Sequence, residues 1–378
     1  MAAYFDYIAG SPIDPRVIDA MLPYLKEAYG NPISQHKPGQ AAAMALQVSR
    51  EKVAAFLNAS PDEIIFTSGG TESNNLAVKG LLTVHDHGQL LASAVEPHSI
   101  LKAAESLERW GYSTSLVPVD SNGQINLLNI NKHLNKYTRL ASAAWVVAET
   151  GAVQPIEEIA DIVRSSGITF HGDATVAARF FPIDVRAMNI DALTICAGTL
   201  GGPPAIGALY LREGTRIQPM LEGGPQEMGR RSGKENLPYI VGFARALELA
   251  MSERQERFKK MKKLDLHLKR RLSEISDLVI HADLPSRAPG ILSCRIDGIE
   301  SEALLMDLDE AGIYATAGSP CATMLHKPSH VLKAMGLSEE QAASTINFSL
   351  SWDTQISEID EMISVLKPAL DRLKAISF

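Results

Sequence analysis

Three places along the chain carry residue types that can do chemistry. In residues 66–80 (FTSGGTESNNLAVKG) an apolar run ending at Ser68 feeds Gly69, Gly70 and Thr71 into a helix-forming stretch. Unpaired backbone N–H groups at a helix start, the positive end of its dipole and a hydroxyl can together cradle a phosphate. The same residues make an ordinary glycine turn with a threonine cap, and their spacing does not choose between the two. Asp173 ends the apolar run 168–173, where a carboxylate is costly to bury without a partner. Cys321 follows Gly318, Ser319 and Pro320 in a loop with no apolar periodicity around it. A thiol so placed can attack, accept sulfur or ligate iron.

The remaining cysteines and histidines weigh less. Cys321, His326 and His330 have a spacing that suits a metal, but no fourth ligand is evident and no metal centre is expected. His85 and His87 flank Asp86 in a polar turn and read as solvated. Cys196 and Cys294 lie in apolar runs and read as core.

These residues need elements to position them. Strands are expected over 62–68, 89–95, 114–119, 139–147, 168–173, 192–197 and 206–211, with helices over 72–82, 99–110 and 156–166. The run 139–147 lacks alternation, as a strand covered on both faces does. Such strand–helix alternation predicts an α/β fold with a doubly wound, mostly parallel sheet. The texture changes near residue 250. Residues 251–275 are charged, helical and free of Gly and Pro, which suits a connector. Strands over 290–296 and 346–350 and helices over 302–311 and 355–375 then predict a smaller α+β domain. The expected division is a large domain over 14–255 and a small one formed by 1–13 with 256–378.

A chain of 378 residues suits two such domains. Its 46% hydrophobic and 21% charged content is that of a globular protein. A net charge of -8 gives no reason to expect nucleic acid or an anionic membrane as partner. No run is long and apolar enough to span a bilayer, and acidic Asp6 precedes any apolar run that could serve export. Three scattered cysteines make no disulfide framework, and a reducing, cytoplasmic setting is expected.

Residues 4–16 (YFDYIAGSPIDPR), 30–32 (GNP), 66–80, 171–175 (HGDAT), 206–210 (IGALY), 231–242 (RSGKENLPYIVG) and 318–321 (GSPC) stand in an order that carries a family. Nearly end to end, the chain resembles the cysteine desulfurases of the class V aminotransferase group. The resemblance implies the PLP-transferase fold-type I. It implies that Gly69, Gly70 and Thr71 hold the PLP phosphate, and that Asp173 pairs with the ring nitrogen to make the ring an electron sink. It makes Cys321 the thiol that takes sulfur as a persulfide.

The sequence departs from that pattern at several stations. The Schiff-base lysine falls on Thr199 and the histidine before it on Gly198, with no lysine anywhere in 137–233. That amine also moves the proton at the substrate's Cα, and threonine cannot replace it in either role. The ring-stacking histidine falls on Pro97, and proline has no π face; His98 beside it reads as a weak cofactor contact that swings in or as a solvated loop histidine. Ala148 and Val176 stand where an asparagine and a glutamine meet the ring. Asn347 replaces the arginine that clamps the substrate carboxylate, and an amide brings no charged fork. Lys234 stands for the threonine that reaches the phosphate from the partner subunit, and reads as a retained phosphate contact or a surface charge.

The resemblance with these losses gives the expectation of a degenerate cysteine desulfurase, a pseudoenzyme. No covalent cofactor is expected, PLP being at most a weak non-covalent ligand, and an iron–sulfur cluster could be held through Cys321. The expected role is that of partner or scaffold in sulfur transfer or iron–sulfur cluster assembly. A homodimer, or a heterodimer with an active relative, is expected, meeting an iron–sulfur scaffold or sulfur acceptor protein. The rivals are an active PLP lyase with unusual catalytic groups and a binding module for another phosphate ligand.

Overall fold

The computed structural model describes residues 3–318 and 328–376. Cys321 and His326 lie outside the described residues.

Twelve strands are found among the described residues. They are β1 (Ala3–Tyr4), β2 (Ile64–Thr67), β3 (Gln89–Ser93), β4 (Ser113–Val117), β5 (Thr138–Ala144) and β6 (Thr169–Asp173), followed by β7 (Ala192–Cys196), β8 (Gly207–Leu211), β9 (Leu278–Ile280), β10 (Ile291–Ile296), β11 (Ile313–Tyr314) and β12 (Thr345–Ser349). Seven form one sheet in the order β2-β8-β7-β6-β5-β3-β4. β8 alone runs against its neighbours, and every other pairing in that sheet is parallel. Parallel strands need crossovers, and the helices Gly70–Leu82, His98–Glu105 and Ile156–Ser165 supply three of them. Covered on both faces, β2 and β8 are buried throughout, and β5 nearly so. The expected doubly wound sheet is present.

The remaining strands form two small sheets, β12-β10-β9, antiparallel, and β1-β11, parallel. Backbone bridges from Asp6 to Ser349 and from Thr316 to Asn347 tie the first residues and the segment after β11 to β12. Helix Ile356–Ile376 packs against helices Ser301–Glu310 and Leu237–Leu272.

Several boundaries differ from expectation for local reasons. Residues 61–63 form a short helical turn instead of strand, because Ser60 N–H donates to Glu63 Oε2 at 2.8 Å in a capping box. The helix expected over 72–82 begins at Gly70, since Gly69 at φ 135° turns the chain directly off β2. The helix expected over 99–110 ends at Glu105, and a separate turn, Glu108–Trp110, closes at Gly111 with φ 87°. The connector expected over 251–275 is the distal half of a 36-residue helix, Leu237–Leu272, that packs on helices Pro15–Lys26 and Lys37–Leu57.

β2 carries the turn that matters most to the site, and two devices fix its path. Gly207 of β8 lies so close that a Cβ there would meet Gly69 Cα at 2.9 Å. Glu227, almost fully buried, accepts from Phe66 N–H at 2.8 Å and from both Nη atoms of Arg50, at 2.8 and 2.6 Å. Removing one partner of a buried ion pair strands the other charge. Glu227→Ala is therefore expected to cost about 3–5 kcal/mol in urea unfolding.

Candidate active site

The carboxyl ends of parallel strands share one edge of a sheet, the usual place for a ligand in such folds. Here the ends of β2, β3, β5, β6 and β7 deliver, in turn, Gly69–Thr71, Glu96 to Ser99, Ala148 with Glu149, Asp173 with Thr175, and Thr199. Thr71, Glu96, His98, Glu149, Asp173 and Thr175 line one cavity of about 220 Å³ there, together with Pro97, Ala148, Val176 and His330.

At the β2 end, a Cβ on Gly69 would meet nothing within 4 Å, and its positive φ favours glycine. A Cβ on Gly70 would meet Thr175 Cγ2 at 2.8 Å. Glu72 anchors the turn: its Oε2 accepts from Ser68 N–H at 2.6 Å and its Oε1 from Arg231 Nε at 2.8 Å. Thr71 remains exposed at the helix start.

Asp173 is buried, and both of its oxygens have hydrogen-bond partners. Oδ1 accepts from the backbone N–H and the hydroxyl of Thr175, at 2.8 and 2.6 Å, and Oδ2 from Asn74 Nδ2 at 2.7 Å. Burial still holds its pKa above the usual carboxylate range. The Thr175 carbonyl in turn accepts from Thr199 Oγ1 at 2.6 Å, so the threonine hydroxyl is turned to the backbone. Among the described residues that line the cavity there is no lysine.

His98 begins its helix after Pro97, and its ring lies 4.4 Å from that of His330, centroid to centroid. His330 donates through Nε2 to the Glu96 carbonyl at 2.9 Å. Lys234 is exposed and lies elsewhere, lining a separate cavity of about 120 Å³ with Thr67, Ser68 and Arg231. Among the described residues no group of three or more metal-binding side chains occurs. Cys294 is buried as expected. Cys196 corrects its reading as core: standing at the end of β7, it is only partly covered, and burial raises its thiol pKa to about 11.

Two acids were missed in the sequence. Glu96 is fully buried; Oε1 accepts from Ala144 N–H at 2.9 Å, and Oε2 has no hydrogen-bond partner among the described residues. Glu149, 6% exposed, accepts on Oε2 from Ser329 Oγ at 2.7 Å, and its Oε1 is likewise unpartnered. Burial pushes Glu96 up to about 8 and Glu149 to about 7. Their signal was present: each is a lone acid directly after an apolar run, in LLASAVE and WVVAE.

This fold and site define a member of the class-V aminotransferase family, whose model matches residues 3–362. Within it the chain belongs to the cysteine desulfurases. It is 39% identical over 376 residues to the cysteine desulfurase of Nostoc sp., covering 99% of this chain and 94% of that one. It is 36% identical to cysteine desulfurase IscS 1 of Archaeoglobus fulgidus, covering 99% and 98%. A solved NifS-like protein superposes with a TM-score of 0.93 at 33% identity, over 99% of this chain and all of that one.

Membership corrects the cofactor expectation. Cysteine desulfurases hold PLP covalently, and the chain matches them end to end, so the expectation of no covalent cofactor, with PLP a weak non-covalent ligand at most, does not stand. Nor does a cluster on Cys321 as the cofactor. Position 199 is a single site within a match that runs the whole length. The residues present fit the group at two ends: the open turn Gly69–Thr71 suits its phosphate and the buried Asp173 its ring nitrogen. When bound, PLP supplies an electron sink for charge developing at a substrate carbon.

The acids of the cavity make stability depend on pH. Glu96 keeps its proton up to about pH 8 when folded and loses it near 4.5 when unfolded. The native state therefore binds more protons between those values, and stability falls as pH rises through that window. Urea titrations at pH 5 and pH 8 are expected to show a smaller drop in Glu96→Gln than in the parent. The difference is worth about 1.4 kcal/mol for each unit separating the two pKa values.

Proposed function

We propose that this cysteine desulfurase family member has lost turnover of free cysteine and works as a sulfur-transfer partner, receiving a persulfide on Cys321. The observation that carries the reading is Thr199. Its hydroxyl is committed to the Thr175 carbonyl at 2.6 Å, and it has no basic nitrogen to take a proton from a substrate carbon. Asn347 supports the same reading. At the place of the carboxylate clamp it offers a neutral amide, whose Nδ2 donates to the Gly318 carbonyl at 3.1 Å.

The retained chemistry is then that of a thiol. The Cys321 thiolate attacks the terminal sulfur of a donor persulfide, forming a new S–S bond as the donor's S–S bond breaks and the donor leaves as a thiolate. No oxidant is consumed. The donor is an active relative, met in a homologous heterodimer or in passing. The segment 231–242, where the family resemblance is strong, supports dimer formation, and a large domain over 14–255 with a small one over 1–13 and 256–378 belongs to the same proposal.

Two measurements test the proposal. Incubated with PLP and cysteine, the purified chain is expected to release no sulfide, whereas Thr199→Lys combined with Asn347→Arg is expected to gain at least ~10²-fold, the lower range for a restored acid–base group. Sulfide release by the unaltered chain at the rate of an active relative would overturn the loss of turnover. With a persulfidated relative as donor and radiolabelled sulfur as readout, the chain should become labelled and Cys321→Ser should not. Equal labelling of both would make Cys321 a bystander.

A further inference from the structure

The distal half of helix Leu237–Leu272 carries charges that neither the fold nor the cleft uses. Residues 259–271 hold seven lysines and arginines against one acid, in a chain whose net charge is -8. That acid, Asp265, is buried and already engaged, its two oxygens accepting from Arg287 Nη2 at 2.7 and 2.8 Å. Met261, Leu264, Leu268 and Leu272 make the face that packs inward. On the opposite face Lys259, Lys263, Leu266 and Arg270 follow one another at helical spacing, all exposed, along about 16 Å. Lys260 and Lys262 flank them, and Glu256 closes the N-terminal end. None of these side chains lines the cavities of the site.

A helix favours basic residues in its last turn, where they meet the dipole, and Lys269, Arg270 and Arg271 are accounted for in that way. Lys269 and Arg271 also pair with Asp283 and Asp360. Lys259 and Lys263 lie more than a turn before that end, and like charges at i and i+4 destabilise a helix. Among the described residues neither they nor Lys260 and Lys262 form an ion pair. Leu266, 66% exposed amid them, leaves apolar surface in water. Cations ranged around one leucine complement a protein surface that brings a row of carboxylates with an apolar side chain among them. From this we infer that residues 259–270 form the docking ridge for an acidic protein partner, seated with carboxylates on Lys259, Lys263 and Arg270 and an apolar residue on Leu266. The acidic remainder of the chain repels such a partner and turns it toward the ridge. Leu266 offers a phosphate nothing, and one apolar side chain is too little to enter a bilayer.

Fluorescence anisotropy of the full chain tests the ridge, the probe being a labelled acidic amphipathic helical peptide with glutamates at i and i+4 beside a row of leucines. Lys259→Glu combined with Lys263→Glu is expected to weaken the peptide about tenfold or more, and Leu266→Ser about tenfold. Lys132→Glu combined with Lys136→Glu, at exposed positions elsewhere, makes the same change of net charge and is expected to leave the affinity within about twofold. Lys259→Glu alone replaces a like-charge pair by an opposite one, so it should unfold at no lower urea concentration than the parent while binding the peptide less tightly. A merely structural lysine would not give that split. Equal weakening by the two double variants would reduce the effect to net charge and overturn the ridge, as would an affinity unchanged by Lys259→Glu with Lys263→Glu. Poly-dT or phosphatidylserine vesicles bound more tightly than the peptide, and lost in that same variant, would make the face one for nucleic acid or membrane and overturn the protein partner.

Discussion

A carboxylate cannot be buried at the end of a central strand unless its lone pairs are met, and the site is built around meeting those of Asp173. Three bonds, two from Thr175 and one from Asn74, do so. Asn74 belongs to the helix that leaves the Gly69 turn, so the carboxylate sets the distance between that turn and β6. Thr175 passes the constraint on, since its carbonyl holds the Thr199 hydroxyl at the end of β7. Three strand ends are thus tied by one run of hydrogen bonds. A cofactor bound against Asp173 enters a frame that is already fixed.

The framework was largely legible because parallel buried strands write themselves as apolar runs, and the residues that end them are polar for a reason. Strands β5, β6 and β7 lie within the expected limits to within a few residues. Helix Lys37–Leu57 is not legible in the sequence. Rich in alanine and with Met44 and Val48 exposed, it shows no clean apolar stripe. Cys196 misled because a strand's last residue can share its apolar company without sharing its burial. Glu96 and Glu149 are not legible as site acids from their sequence neighbourhood alone, because their burial is set by elements distant in the chain.

The cofactor question shows the limit of reading one position at a time. Thr199 is a local fact, and its contacts are those of a residue at rest in its backbone turn. Family membership is a statement about the whole chain, and the members of that family hold PLP. Both hold together if the frame of the Gly69 turn and Asp173 outlasts the groups that drive turnover.

β2 lies at the edge of the large sheet, and among the described residues its only ladder is with β8. The strand is therefore made early on the ribosome and left waiting for about 140 residues of chain, until its partner at Gly207–Leu211 emerges. Glu227, which holds Phe66 and Arg50, arrives later still. Through that interval an apolar tetrapeptide, Ile64–Thr67, stands unpaired, an invitation to wrong partners that a nascent-chain chaperone would have to cover. The Gly69–Thr71 turn is among the first pieces of the site to be synthesised and among the last to be locked.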